Sequence, residues 1–186
     1  MTEDRQLVSK ALKGDRKAFE MIVRKYEQPL TSYLGRMTGE REAALDFAQE
    51  VFIKAYCSLA SYRPAFKFST WLFKIASNHM IDHWRKKKLP TVSIDQPIDD
   101  GEDAVMPQLA DPGPSVARKF ELAEIRKRIE QALATVPAAL RELFVLRHVN
   151  EFSYEEIADI KGLPVGTVKN RVFQAKELLR RRMEGS

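Results

Sequence analysis

At 186 residues, with 44% hydrophobic and 31% charged side chains, the chain has the balance of a largely folded soluble protein of one or two domains. A single cysteine, Cys57, excludes an internal disulfide and a cysteine-based zinc or iron–sulfur site, and three histidines with no glycine-rich phosphate loop leave little for a metal or nucleotide enzyme. The net charge of +5, a charged N-terminus with no apolar h-region behind it, and apolar runs far short of the roughly 20 residues of a membrane span predict a cytoplasmic protein.

The predicted elements are all helical. Phe19, Ile22, Val23 and Tyr26 recur at helical spacing, and Pro29 suits the first turn of a new helix better than an interior site. Leu30, Tyr33, Leu34 and Met37 carry the apolar face of that second helix up to Gly39. Residues 41–60 form a third, with Leu45, Ala48, Phe52, Tyr56 and Leu59 inward. Ser69 to about Lys87 forms a fourth, with Trp71, Leu72, Ile75 and Ile81 supplying apolar contacts. Further helices are expected near 117–134, 137–149, 153–161 and 164–183. The fold class is therefore all-α, in two small helical domains, 1–92 and 117–186, with no strand alternation and no internal repeat.

Between the domains, residues 93–116 read as a flexible, acidic, proline-containing linker. The stretch from Leu89 to Pro114 holds five prolines and two glycines without a sustained period. Charge divides at the same boundaries. Residues 1–94 hold 17 Lys/Arg against 10 Asp/Glu (net +7), residues 95–116 hold six acidic and no basic side chains (net −6), and residues 117–186 hold 14 against 10 (net +4). Basic blocks neutralise phosphate and an acidic strip is repelled by it. On charge alone, DNA binding and solvated helix faces joined by a linker both remain open.

Residues 153–183 carry the strongest mechanical signal. Ser153 and Glu156 form a capping box, Gly162 ends that short helix, and Pro164 suits the first turn of the next. Val168, Val172, Ala175 and Leu179 lie within about 60° of one another at roughly 100° per residue, a buried stripe. A short helix, a glycine turn and a second amphipathic helix make a helix-turn-helix pattern. Opposite the stripe stand Lys169, Asn170, Phe173 and Gln174, flanked by Arg171 and Lys176, with Arg180, Arg181 and Arg182 beyond. Lysine meets guanine or phosphate, amides pair with adenine, and an aromatic touches a thymine methyl. The competing structural reading is a helical hairpin with a polar face.

Two further constellations lie in the N-terminal block. Phe68 to Lys88 interleaves aromatics, amides and cations, as single-strand binding surfaces do. Arg85 to Lys88 equally complement a helix C-terminal dipole, and the aromatics, Trp71 above all, equally serve a core. Asp46, Gln49 and Glu50 form an acidic-amide patch outside the apolar stripe, suited to a partner with basic side chains or simply solvated. His79 and His83 at i, i+4 with Asp82 mimic a metal pair, but no glutamate follows His79 and no metal is assigned.

These segments together resemble the sigma-70 family of bacterial transcription initiation factors, in its extracytoplasmic-function branch, over nearly the whole chain. The motifs are Asp46 with Gln49-Glu50-Val51-Phe52-Ile53-Lys54-Ala55-Tyr56, Phe68-Ser69-Thr70-Trp71-Leu72-Phe73-Lys74-Ile75-Ala76-Ser77-Asn78, and Ser153-Tyr154-Glu155-Glu156-Ile157-Ala158 with Pro164-Val165-Gly166-Thr167-Val168-Lys169. The resemblance implies that Asp46, Gln49, Glu50 and Phe52 dock on the clamp coiled-coil of the core RNA polymerase β′ subunit. It implies that Trp71, Lys74, Asn78, Arg85 and Lys86 bind and open the −10 element, with Asn78 where the family contacts a base at the start of melting. Thr167, Lys169, Asn170, Arg171, Phe173, Gln174 and Lys176 match positions that read the −35 element. Pro137 to Arg147 resembles the segment seated on the β-subunit flap, and the acidic linker the stretch lying in the RNA exit path. Gln174 stands where an arginine is common in related factors, so their −35 preference is not borrowed. The autoinhibitory N-terminal region and the middle domain of housekeeping members are not matched. The resemblance further implies promoter DNA and an anti-sigma protein, often membrane-anchored, as partners, no cofactor, and no catalysis by the chain itself.

Two other classes compete. A one-component helix-turn-helix regulator accounts for residues 153–183 but leaves Asp46, Gln49, Glu50 and the linker without a task, and no ligand-sensing domain is visible. A helical hydrolase or nucleic-acid deaminase has only the His79/His83 pair to stand on.

Overall fold

The computed structural model describes residues 3–88 and 116–184; the expected linker, 93–116, lies outside the described residues but for Val116, which opens a helix. Among the described residues there are eight α-helices and no strand: α1 (Glu3–Leu12), α2 (Arg16–Thr38), α3 (Arg41–Cys57), α4 (Phe68–Lys88), α5 (Val116–Ala134), α6 (Ala138–His148), α7 (Tyr154–Lys161) and α8 (Val165–Glu184). Helices α1 to α4 form a first unit around α2, which packs on α1, α3 and α4. Helices α5 to α8 form a second, with α6 on α7 and α8, and α5 on α8. The units meet where α4 packs on α7 and α2 on α6.

Helix α2 corrects one expectation. Pro29 does not open a new helix; it lies inside a single helix of 23 residues. An interior proline forfeits one backbone hydrogen bond. The loss is tolerated because Ile22, Tyr26, Leu30, Tyr33, Leu34 and Met37 continue one buried stripe through it. Asp15 caps the start through the Ala18 amide, and Gly39, at φ 80°, takes the left-handed C-cap that a side chain would resist. Helix α1 was not anticipated; it buries Leu7, Val8 and Ala11, and Asp4 accepts from the Tyr26 hydroxyl at 2.7 Å.

Helix α3 corrects another. Its buried face is Ala44, Ala48, Val51, Phe52 and Ala55, while Leu45 and Tyr56 face solvent. On α4 the inward residues are Leu72, Phe73, Ala76 and Met80, with Trp71 and Ile75 packed at the margin and Ile81 exposed. In the second unit the expected capping box is present in both directions, Glu156 N–H to Ser153 Oγ at 3.1 Å and Ser153 N–H to Glu156 Oε2 at 2.8 Å. Val168, Val172, Ala175 and Leu179 are all buried, as the stripe on α8 predicted.

Candidate polymerase-docking and nucleic-acid surfaces

The outward face of α3 is larger and more apolar than the acidic patch alone. At 100° per residue, Leu45, Tyr56, Gln49, Glu42, Ile53, Asp46, Cys57 and Glu50 follow one another across an arc of about 140°. All eight are exposed, Ile53 at 63%. Phe52 is buried beneath them and braces the face from behind, so it does not belong to the contact surface in which it was expected. Leu45, Ile53 and Tyr56 were missed as surface residues. An exposed apolar centre with an acidic rim is the composition of a protein-binding patch.

The acidic rim is tied to α4 through His79. The buried imidazole receives Lys54 Nζ at Nδ1 (2.5 Å), while its Nε2 lies 3.3 Å from Glu50 Oε2 without completing a hydrogen bond. Phe47 meets both His79 and His83 edge-on, at 5.2 and 4.7 Å between centroids. Burial, then the Lys54 charge, holds the His79 pKa below the ordinary histidine value. A neutral ring with Lys54 donating to Nδ1 carries its proton on Nε2, toward Glu50. Both histidines are thus engaged by protein groups, and no group of three or more candidate metal ligands occurs among the described residues.

On α4, Lys74, Asn78 and Arg85 are exposed and Trp71 is half-buried against Tyr62 and Phe68, with ring centroids 5.6 and 5.4 Å away. Lys86 lies on α4, with its side chain outside those described. Lys74, Asn78, Ile81 and Arg85 succeed one another at i, i+4, i+7 and i+11, so they share one outer face while Leu72, Phe73, Ala76 and Met80 hold the inner one.

On α8, Lys169, Asn170, Phe173, Gln174 and Lys176 are exposed, Phe173 at 62%, and Thr167 and Arg171 are half-buried. Gln174 Nε2 donates to Asn170 Oδ1 at 3.3 Å, so the two amides are aligned along one face. Lys169 Nζ sits 5.7 Å above the Tyr154 ring and the Arg147 guanidinium 4.8 Å from it, which ties α8 to α6 and α7. Gly162, at φ 63°, supplies the left-handed residue that lets α7 turn into α8. Arg171 looks instead into a cleft with Ile81 and Trp84 of the first unit. The expected −35 residues therefore form one surface with Arg171 at its edge.

Comparisons with known proteins identify the family. The chain matches the family models Sigma-70 region 2 over residues 22–89 and Sigma-70, region 4 over residues 126–179. It is 33% identical over 181 residues to the RNA polymerase sigma-H factor of Pseudomonas aeruginosa, covering 95% of this chain and 92% of that one. It is 36% identical over 177 residues to the ECF RNA polymerase sigma factor SigW of Bacillus subtilis, covering 95% and 94%. Against the ECF RNA polymerase sigma-E factor of Escherichia coli K12 it is 32% identical, covering 95% and 92%. Its fold is that of CnrH solved with the cytosolic domain of CnrY (TM-score 0.71, 23% identity, 100% and 99% covered). The fold also matches RpoE of Bartonella quintana solved with the anti-sigma factor NepR (TM-score 0.67, 24% identity, 90% and 98% covered). Two family models that together span most of the chain, and relatives 32–36% identical over 95% of it, show that the chain belongs to the sigma-70 family, in its extracytoplasmic-function (ECF) branch, and is a transcription initiation factor rather than an enzyme.

Proposed function

We propose that α3 docks on the β′ clamp coiled-coil of core RNA polymerase, that α4 captures and opens the −10 element, and that α8 reads the −35 element in the major groove. The observation that carries this reading is the segregation of three exposed surfaces on three helices, one apolar with an acidic rim and two cationic with amides and aromatics. On the docking face Ile53, Leu45 and Tyr56 bury apolar area, and Asp46 and Glu50 meet basic side chains at the rim. On α4, Asn78 contacts a base drawn from the stack, at an unstacking cost of a few kcal/mol offset by capture. On α8, Lys169, Asn170, Phe173 and Gln174 face base edges, and Thr167 and Lys176 hold the backbone, joined by Arg171 once it leaves the cleft with Ile81 and Trp84. Residues 1–92 and 117–186 act as the two functional domains, and Pro137 to Arg147 seats the second on the β flap. The chain works in the cytoplasm; no helix among the described residues is long and apolar enough to cross a membrane. An anti-sigma protein, membrane-anchored in one form of this control, restrains it; solved relatives of this fold are complexes with such partners.

Geometry makes polymerase necessary. The two elements are separated by about 25 base pairs, or about 85 Å of duplex. In the structure α4 packs on α7 and α7 on α8, so two helix-packing distances of 8–10 Å put α4 and α8 at most about 20 Å apart where both meet α7. Polymerase holds the units at the promoter spacing and turns two weak contacts into one binding event. A one-component regulator is disfavoured by the α3 face, which such a protein does not need. Titration of core polymerase with the wild-type chain and an Asp46→Lys/Glu50→Lys variant tests the assignment. A loss of tenfold or more in affinity is expected, with the variant still folded, and equal affinities would reject it.

A further inference from the structure

The edge of the docking face that borders α4 is charged, and a buried histidine stands behind it. At about 100° per residue Lys54 follows Glu50 by about 40°, on the margin of α3 turned toward α4. Facing that margin is His79 of α4, 8% exposed and met edge-on by the Phe47 ring at 5.2 Å. Lys54 is exposed as a residue, yet its ammonium turns inward to His79 Nδ1 at 2.5 Å. The Glu50 side chain stays 55% exposed, with Nε2 of the same ring 3.3 Å from its carboxylate.

The charges that act on the ring are Lys54 and Glu50 on α3 and Asp82 and His83 on its own helix. Helices α2 and α7 also pack on α4, but the titratable groups they bring there, Tyr33 and Lys161, end on Glu142. His79 therefore stands between one cation and one carboxylate at the rim of the docking face.

The two charge states of the ring give two different rims. A neutral ring protonated at Nε2 leaves Nδ1 as an acceptor, to which an ammonium donates. Lys54 is then held away from an incoming partner, and Glu50 keeps an open side for the partner's basic group. A charged ring carries a proton on both nitrogens, so Nδ1 no longer accepts and Lys54 is repelled into solvent. Its charged Nε2–H draws Glu50 inward, because charge-assisted hydrogen bonds are the shorter and stronger ones. The rim loses an available carboxylate and gains an ammonium, and both changes disfavour a basic partner. Burial, then the Lys54 charge, favours the neutral ring, so the docking rim is the one present near neutral pH.

We infer that His79 is a positioning residue of the docking face: its neutral ring holds Lys54 inward and leaves Glu50 available, its charged ring reverses both, and docking on polymerase weakens in acid. The inference rests on the docking reading above for its consequence and on the Lys54–His79–Glu50 arrangement for its existence. His79 itself is buried and acts only through these two neighbours.

The test pairs the state of the ring with the affinity of the full chain for core polymerase. Long-range proton–nitrogen NMR of the free chain, with the His79 signal assigned by its loss in His79→Gln, gives the tautomer and the pH at which the ring charges. The Nε2–H tautomer at pH 7.5 and a midpoint below 6.5 are expected. Affinity for core polymerase is then followed from pH 7.5 to 5.0 at constant ionic strength, with circular dichroism checking that each sample is folded. Wild type weakens by about fivefold, the worth of one surface ion pair, and the fall begins at the NMR midpoint. His79→Gln cannot charge and loses less than about twofold over the same range, which reports the titration of polymerase itself. Lys54→Met removes the cation that opposes protonation, so the onset moves to higher pH; it carries the test if His79→Gln folds poorly. An Nδ1–H tautomer, identical pH profiles for wild type and His79→Gln, or an onset that Lys54→Met leaves in place overturns the inference. If Asp46→Lys/Glu50→Lys binds polymerase as wild type does, the docking reading fails and the inference falls with it. If that variant loses affinity while the pH profiles coincide, the inference alone fails.

Discussion

Replacing Val172 and Phe173 in turn by alanine separates folding from promoter reading at neighbouring positions of α8. Val172 is 3% exposed and part of the stripe that seats the helix, whereas Phe173 is 62% exposed. Val172→Ala removes two buried carbons, worth about 1.6 kcal/mol at roughly 0.8 kcal/mol per group, and the cavity left behind brings the loss to about 2 kcal/mol. For a chain of this size that lowers Tm by about 4–8 °C. Phe173→Ala gives up little buried surface, so stability moves by no more than about 0.5 kcal/mol. Its loss appears at the promoter, where a contact to a base edge is worth about 1–3 kcal/mol, or about 5–150-fold in affinity. Calorimetry of both variants and competition binding of the reconstituted holoenzyme to a −35-dependent promoter, at one fixed salt concentration, read the two effects. The reasoning is refuted if Phe173→Ala unfolds as early as Val172→Ala, or if it binds that promoter as wild type does.

Asn78→Ala is expected to impair promoter opening more than closed-complex formation; normal permanganate reactivity of the −10 thymines would count against that role. Glu50→Gln and His79→Leu should each weaken polymerase binding, with the double variant no worse than the stronger single, if both act through the 3.3 Å approach of Nε2 to the Glu50 carboxylate. Additive losses would show that His79 acts elsewhere. The His79 and His148 pKa values are both held below the ordinary 6.5, first by burial, then by Lys54 for His79 and by Arg147 and Lys176 for His148. The unfolded chain therefore binds protons before the folded one, and stability that is complete above about pH 6.5 declines as pH falls through that value. Urea midpoints should drop between pH 7.5 and 5.5 and flatten in His79→Gln/His148→Gln; a flat wild-type profile would contradict the assignment.

What could be read from the sequence was whatever local geometry decides. The α8 stripe, the capping box at Ser153 and the glycine turn at Gly162 depend on neighbours within one or two turns. Helix α3 was read onto the wrong stripe for a physical reason. Its outer face carries Leu45, Ile53 and Tyr56 among its acidic residues, so apolar side chains lie on both faces and periodicity cannot tell the core face from the outer one. Pro29 suggested a break because proline usually is one; the buried stripe running through it from Ile22 to Met37 prevailed. The buried hydrogen-bonded cluster of Tyr33, Ser77, Glu142 and Lys161 was illegible. Tyr33 and Glu142 lie 109 positions apart, and nothing near either announces the other.

Start-site mapping with purified core polymerase, with and without this chain, on a library of genomic fragments tests most directly the claim that two promoter-reading units act only when a larger enzyme spaces them. The account predicts a small set of defined starts, each preceded by two shared sequence elements at constant spacing, and no tight binding of those fragments by the chain alone. Starts unchanged by the chain, or tight binding to single sites without polymerase, would contradict it.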